Sequence, residues 1–224
     1  QFGALGISPN KLKKILQIGI PSAFQYAIFA VANLFVQTGV NSFDHVMVEG
    51  NSAASNADPL VYDMMAAFYT ACSSFIAQNY GARKRDRIRK SYLICMLYSF
   101  LVGLVLGVGI YLLRYPFLAL FTDEGRVIDA GIKRLSVMAL SYSVSAFMDN
   151  TIAASRGLGK TILPTVMVIL GSCVFRIIWI YTVFAHFRTI ESLYLLYVFS
   201  WSITAVAETA YFVKTFRQVS AVYD

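Results

Sequence analysis

Apolar residues in this chain arrive in long blocks, and polar residues gather between the blocks instead of alternating with them. Stretches of about 20 residues or more with at most one ionisable group cover residues 15–38, 60–82, 91–113, 135–155, 161–185 and 192–213. A helix needs about 20 apolar residues to cross the hydrocarbon core of a bilayer, so each block can span once with little to spare. The pattern predicts an all-α, polytopic membrane protein, a bundle of six transmembrane helices forming one unit over residues 1–224. Six spans in 224 residues leave no room for a large aqueous domain.

The connections are short. The longest, residues 39–59, is polar and carries Asp44, Glu49 and Asp58, which assigns it to an outer loop. The other long connection, residues 115–134, contains Pro116 and the turn-forming run Thr122-Asp123-Glu124-Gly125, which predicts the start of a short interfacial helix. On the third span Gly103-x-x-x-Gly107, followed by Gly109, marks a face where another helix can approach closely.

Composition and charge narrow the picture. The chain is 58% hydrophobic and 14% charged, against roughly 25% charged in an ordinary soluble domain. Its net charge of +7 would suit a nucleic-acid partner if the basic residues formed one patch. They sort by loop instead. The N-terminal flank, the loop at 81–90, the turn at 156–160 and the C-terminal flank hold thirteen Lys and Arg, while the opposite loops hold five. Basic residues accumulate on the cytoplasmic side. The bias predicts a multi-pass cell-membrane protein with both ends of this stretch in the cytoplasm, and no nucleic-acid partner. The basic run at 81–90 reads as a solvated topology anchor or as a contact for anionic headgroups. Cys72, Cys95 and Cys173 are odd in number and sit inside apolar blocks, as small hydrophobic residues do. No cleavable leader pattern precedes Ile15, and the chain starts at Gln1, so it reads as part of a longer protein.

Four ionisable residues fall inside the blocks: Asp63, Asp149, Arg176 and Glu208. A charge at mid-bilayer costs roughly 2.5–3.5 kcal/mol even on lenient insertion scales, so such residues face a bundle interior or a wet cavity. Counting helical rise from the inner ends puts Asp149 and Glu208 about 10 Å deep and Asp63 and Arg176 about 25 Å deep. Equal depth predicts an Asp63–Arg176 ion pair, a strut or outer gate. Two acids at one level suit the transfer of protons or the binding of a small cation. The competing reading is that each acid is a structural contact capped by hydroxyls.

Three faces accompany these residues. Ser141, Ser145 and Asp149 are spaced i, i+4, i+8, flanked by Met138 and Tyr142. Thr204, Glu208 and Tyr211 share a face of the last span, and the first span presents Gln25, Asn33 and Gln37. Together they predict one cavity, with Asp149, Glu208 and Ser145 beside it. Interhelical hydrogen bonds, worth about 0.6 kcal/mol each, are the alternative.

Enzyme signatures are missing. Ala154 to Thr161 fits only a loosened phosphate loop, lacks its first Gly and joins two predicted spans, so it reads as a tight turn. His45 and His186 lack metal-ligand spacing, and no nucleophile motif is present, so neither a metal site nor catalysis is expected.

Four strings resemble one family. Phe75-Ile76-Ala77-Gln78-Asn79-Tyr80-Gly81-Ala82, Ile18-Gly19-Ile20-Pro21, Ser155-Arg156-Gly157-Leu158-Gly159-Lys160 and Cys173-Val174-Phe175-Arg176-Ile177-Ile178-Trp179 look like segments of the second lobe of MATE (multidrug and toxic compound extrusion) transporters. The resemblance covers nearly the whole chain. It implies the C-terminal six-helix lobe of a twelve-helix protein whose N-terminal lobe is missing here. It also implies an antiporter exporting cationic or amphipathic drugs and metabolites in exchange for H+ or Na+ by rocking of two lobes, with no other cofactor. Partners would be those solutes, the bilayer and the N-terminal lobe. Where some branches carry an acid on the first helix of this lobe, Ala27-Ile28-Phe29-Ala30 stands here, and the acid of the fourth helix lies one turn on, at Asp149 rather than at Ser145. The resemblance implies that Asp149, Glu208 and Ser145 form the coupling group and that the three polar faces line the solute cavity, with H+ and Na+ both open as the coupling ion. The rivals are a lipid-linked oligosaccharide flippase, which should have a wider and more basic cavity, and a membrane scaffold without cargo.

Overall fold

A computed structural model describes residues 8–220, and helices fill almost all of them. In order these are α1 (Pro9–Val40), α2 (His45–Ser55), α3 (Ala57–Gly81), α4 (Arg85–Leu112), α5 (Arg114–Leu118) and α6 (Gly125–Gly157). A rod follows in which α7 (Ile162–Val168), α8 (Phe175–Trp179) and α9 (Ala185–Phe187) are joined by π-helical turns at Ile169–Val174 and Ile180–Phe184, and α10 (Ile190–Ser220) closes the chain. Each of the six apolar blocks lies on one helical segment, to within a residue at either end.

Helix α6 is the axis of the molecule. It packs against α2, α3, α4 and α10 and buries 21 residues, whereas α1, of similar length, buries five. Among the described residues five segments are long and apolar enough to cross a membrane, and α6 falls short. The reason is its position. A helix packed against four others keeps only a narrow exposed stripe, with Leu140 and Phe147 on it, and it can spend the rest of its surface on Ser141, Ser143, Ser145, Asn150, Thr151 and Ser155, all buried. The outer ring compensates with exposed apolar side chains such as Phe24, Leu34, Leu97, Val105 and Val206. Such a surface would drive aggregation in water, and it is what lipid solvation requires.

Close approach to α6 depends on small residues. A Cβ at Gly103 would lie 3.0 Å from Met65 Sδ and 3.3 Å from the Tyr142 carbonyl, and one at Gly107 would overlap the Ala139 carbonyl. Gly109 meets nothing and takes no part in this seam.

Two connections differ from the sequence expectation. Most of the 39–59 stretch, expected as a polar outer loop, is α2, capped by the Asp44 carboxylate, which accepts from the Met47 N–H at 3.0 Å. Asn56 keeps right-handed helical dihedrals and returns its Nδ2 to the Ser52 and Ala53 carbonyls, so α2 runs almost without interruption into α3. Polarity suggested a loop because the buried face of α2 is itself polar and small, with Gly50, Asn51, Ala53 and Ala54 turned inward. In the 115–134 connection the short helix α5 precedes the Thr122–Gly125 turn, and that turn starts α6 ten residues before its apolar block. The 155–161 turn is as tight as its glycines suggest. Gly159 has φ +75°, and the Lys160 N–H reaches the Ser155 carbonyl at 3.0 Å while the Gly159 N–H reaches that of Arg156 at 2.8 Å, the paired bonds of a glycine C-cap.

Candidate solute cavity and its charged groups

A cavity of about 350 Å³ opens between α1, α3, α6, α8 and α10. Its inner end holds Gln25, Asp149 and Arg156. The Arg156 Nη2 donates to Gln25 Oε1 at 2.8 Å, which ties α1 to the end of α6. Asp149 is half-buried and has no hydrogen bond or ion pair among the described residues, leaving its carboxyl open to the cavity. The walls are aromatic. Phe29, Tyr62, Tyr69, Tyr197 and Trp201 line them with Met138 and Met148, and Tyr62 meets both Trp201 and Tyr142 edge to face, at 6.1 and 5.7 Å between centroids.

The outer end is closed by two arginines. Arg176, 1% exposed, donates from Nη1 to Asn33 Oδ1 at 2.9 Å and lies 4.6 Å from the Tyr197 ring centroid. Arg134 forms an ion pair with Asp58 and donates from Nη1 to Asn51 Oδ1 at 2.9 Å. The same carboxylate accepts from the Tyr142 hydroxyl at 2.6 Å, and Tyr194 donates to Asn51 at 3.0 Å. This network joins α2, α3, α6 and α10. Beyond it lies a second, polar chamber of about 360 Å³ that shares Asn33, Asp58 and Tyr197 with the first and also holds Gln37.

Among the residues singled out from sequence, Gln25, Asn33, Met138, Asp149 and Arg176 line the main cavity, and Gln37 lines the outer chamber. The others do not face it. Ser141 and Ser145 donate to their own helix, at the Val137 and Tyr142 carbonyls, and Tyr142 is turned to Asp58. Thr204 bonds the Ser200 carbonyl and shares a 3.0 Å hydrogen bond with Ser172, an interhelical contact. Tyr211 is half-buried outside the cavity lining. Glu208 is fully buried behind the wall, with neither carboxyl oxygen hydrogen-bonded among the described residues. Asp149 and Glu208 are linked instead through Arg156, on which both act electrostatically.

The expected Asp63–Arg176 pair is not formed. Asp63 is exposed on α3, while Arg176 is bonded to Asn33. Axial counting gives height but not the direction in which a side chain leaves its helix. The acid that does hold a buried arginine is Asp58, which lies in the first turn of α3 and not in the outer loop that its sequence context suggests. The signal that could have found it is its spacing from Met65, seven residues on, which places both on the inward face of one helix.

A helical lobe that holds a partly polar, aromatic-walled cavity within the membrane has the architecture of a solute transporter rather than of an enzyme. The sequence agrees: residues 21–182 match the MatE family, and the chain belongs to that family. It is 28% identical over 125 residues, 54% of this chain and 26% of the relative, to the "Probable multidrug resistance protein NorM" of Halalkalibacterium halodurans. It is 22% identical over 163 residues, 73% of this chain and 35% of the relative, to the "Probable multidrug resistance protein YoeA" of Bacillus subtilis. An outward-facing multidrug resistance MATE family transporter of the MOP superfamily superposes with a TM-score of 0.87 at 19% identity, covering 99% of this chain and 50% of that one. A MOP superfamily transporter from Pyrococcus furiosus gives 0.88 at 19% identity, with 98% and 50% covered. The chain thus spans about half the length of the solved transporters it matches.

Proposed function

We propose that this chain is the C-terminal lobe of a secondary antiporter that exports cationic or amphipathic solutes from the cytoplasm in exchange for H+ or Na+. The solute lies in the cavity walled by α1, α3, α6, α8 and α10, and the N-terminal lobe supplies the facing wall. Both ends of the lobe are cytoplasmic, in keeping with the basic residues at 81–90 and 156–160.

The observation that supports this reading best is the Asp149 carboxyl, half-buried in an aromatic cavity with no protein partner among the described residues. A bare carboxylate against apolar walls is costly, and a proton or a small cation removes the cost. Moving a two-state transporter from 1:99 to 99:1 takes about 10⁴-fold tighter binding to the favoured state. Rocking of the lobes supplies such a difference if Asp149 is wet in one state and sealed in the other. Glu208, buried behind Arg156, contributes to the same charge balance without touching solute.

The test is export driven by a proton or Na+ gradient in vesicles carrying the full-length protein. Asp149→Asn is expected to leave solute binding measurable and to abolish the dependence of export on the gradient. Export that keeps its full gradient dependence removes Asp149 from the mechanism.

A further inference from the structure

Three arginines are drawn into the protein interior, and two have carboxylates in attendance. Arg134 is paired with Asp58, and Arg156 lies in the field of both Asp149 and Glu208. Arg176 has none. Although 1% exposed, it has no ion pair among the described residues, and the groups that act on it electrostatically are Tyr197, Tyr62 and Cys173. Its guanidinium sits among the rings of Phe29, Tyr197 and Trp201, with centroids 5.4, 4.6 and 5.9 Å away. Protein acceptors occupy Nη1, at Asn33, and more loosely Nε, at Ser200 Oγ 3.5 Å away. A guanidinium has five N–H donors in a planar fork. No Arg176 nitrogen is sealed off without a partner, unlike the Nε atoms of Arg134 and Arg156, and the side chain lines the main cavity, so its unused donors open there.

A buried cation with no counter-ion is costly to the fold, and aromatic faces offset that cost only in part. The arrangement becomes favourable when the counter-ion arrives with the solute. We infer that Arg176 is the anchor for an anionic group of the transported molecule, so that the cavity selects amphipathic aromatic solutes bearing a carboxylate over simple organic cations. The planar fork suits bidentate pairing with a carboxylate, and the surrounding rings offer faces on which an attached aromatic body can stack. Ser172 on the α8 rod reaches Met148 Sδ at 3.7 Å, which sets the register of the rod against α6. Arg176 and Asp149 line the same cavity, one from the rod and the other from α6. This inference rests on the transport reading above and narrows its cargo.

The experiment compares rhodamine 110, which carries a free carboxylate, with rhodamine 123, its methyl ester, by fluorescence polarisation on the full-length protein in nanodiscs. Rhodamine 110 is expected to bind about tenfold more tightly, the usual scale for a hydrogen bond to a charged group. Arg176→Gln is expected to erase that preference by weakening rhodamine 110 relative to rhodamine 123, and Arg176→Lys to keep part of it. Equal binding of the two dyes to the unaltered protein overturns the assignment, whether or not any variant folds. So does an Arg176→Gln protein that weakens both dyes alike, which is how a purely structural strut would behave. Gradient-driven export of both dyes without discrimination sinks this inference alone. Failure to export either dye or any amphipathic cation sinks the antiporter reading itself.

Discussion

Asp58 and Arg134 form an ion pair largely withdrawn from water. The carboxylate is shared between a guanidinium and the Tyr142 hydroxyl, and Arg134 Nε is left without a partner. Truncating one member of a buried pair strands the other, at a cost of about 3–5 kcal/mol, whereas removing both is much milder. Arg134→Met is therefore expected to lower the thermal midpoint of the purified protein sharply, and Asp58→Asn combined with Arg134→Met to recover a good part of the loss. Additive losses on thermal unfolding would mean that the pair contributes nothing as a pair. The same residue shows the limit of reading function from sequence. Asp149, Gln25, Asn33 and Met138 could be placed on the cavity from their spacing, because a polar side chain inside an apolar block has few other places to go. Asp58 sits outside the blocks, in a stretch whose polarity hides a helix, and no spacing rule joins it to Arg134, 76 positions away. Ser145 shows the opposite error: it shares a stripe with Asp149, but its hydroxyl is absorbed by the carbonyl three residues back.

Helices pack here through glycine seams, and these were legible. Gly107 lets α4 lie against the Ala139 carbonyl of α6, and even a Cβ at that position would overlap it. Gly107→Val is expected to destabilise the lobe by about 1–3 kcal/mol through overpacking, while Gly109→Val, which meets open space, is expected to be silent; thermal unfolding of the two variants side by side checks the contrast. Less legible were the π turns in the α7–α9 rod, because they leave the hydrophobic pattern intact. Each turn shifts the helical phase, and Gly171 in the first comes close to Thr204, where a Cβ would lie 2.5 Å from Oγ1. The shift falls in the turn that directly precedes Arg176 on α8.

Topology belongs to the whole molecule. Single cysteines in an otherwise cysteine-free full-length protein, at Arg87 and at Lys160, are expected to react with an impermeant maleimide only from the cytoplasmic side, and cysteines at Asp44 and at Arg188 only from outside. Labelling of all four from one side would refute the assigned orientation. The helical segments were readable as apolar blocks because lipid imposes a length and a polarity on the segments that face it. The way the segments surround α6 was not, since hydropathy records what a helix touches only when it touches lipid.

That central position of α6 bears on how the protein is made. A segment carrying Ser141, Ser143, Ser145, Asp149, Asn150 and Thr151 partitions into a bilayer less readily than its neighbours when it leaves the translocon alone. Its residence in the membrane is expected to depend on the helices made before it, with Gly103 and Gly107 of α4 offering a docking seam. Damage to that seam is then expected to surface as chains lost to quality control before any defect in transport can be measured.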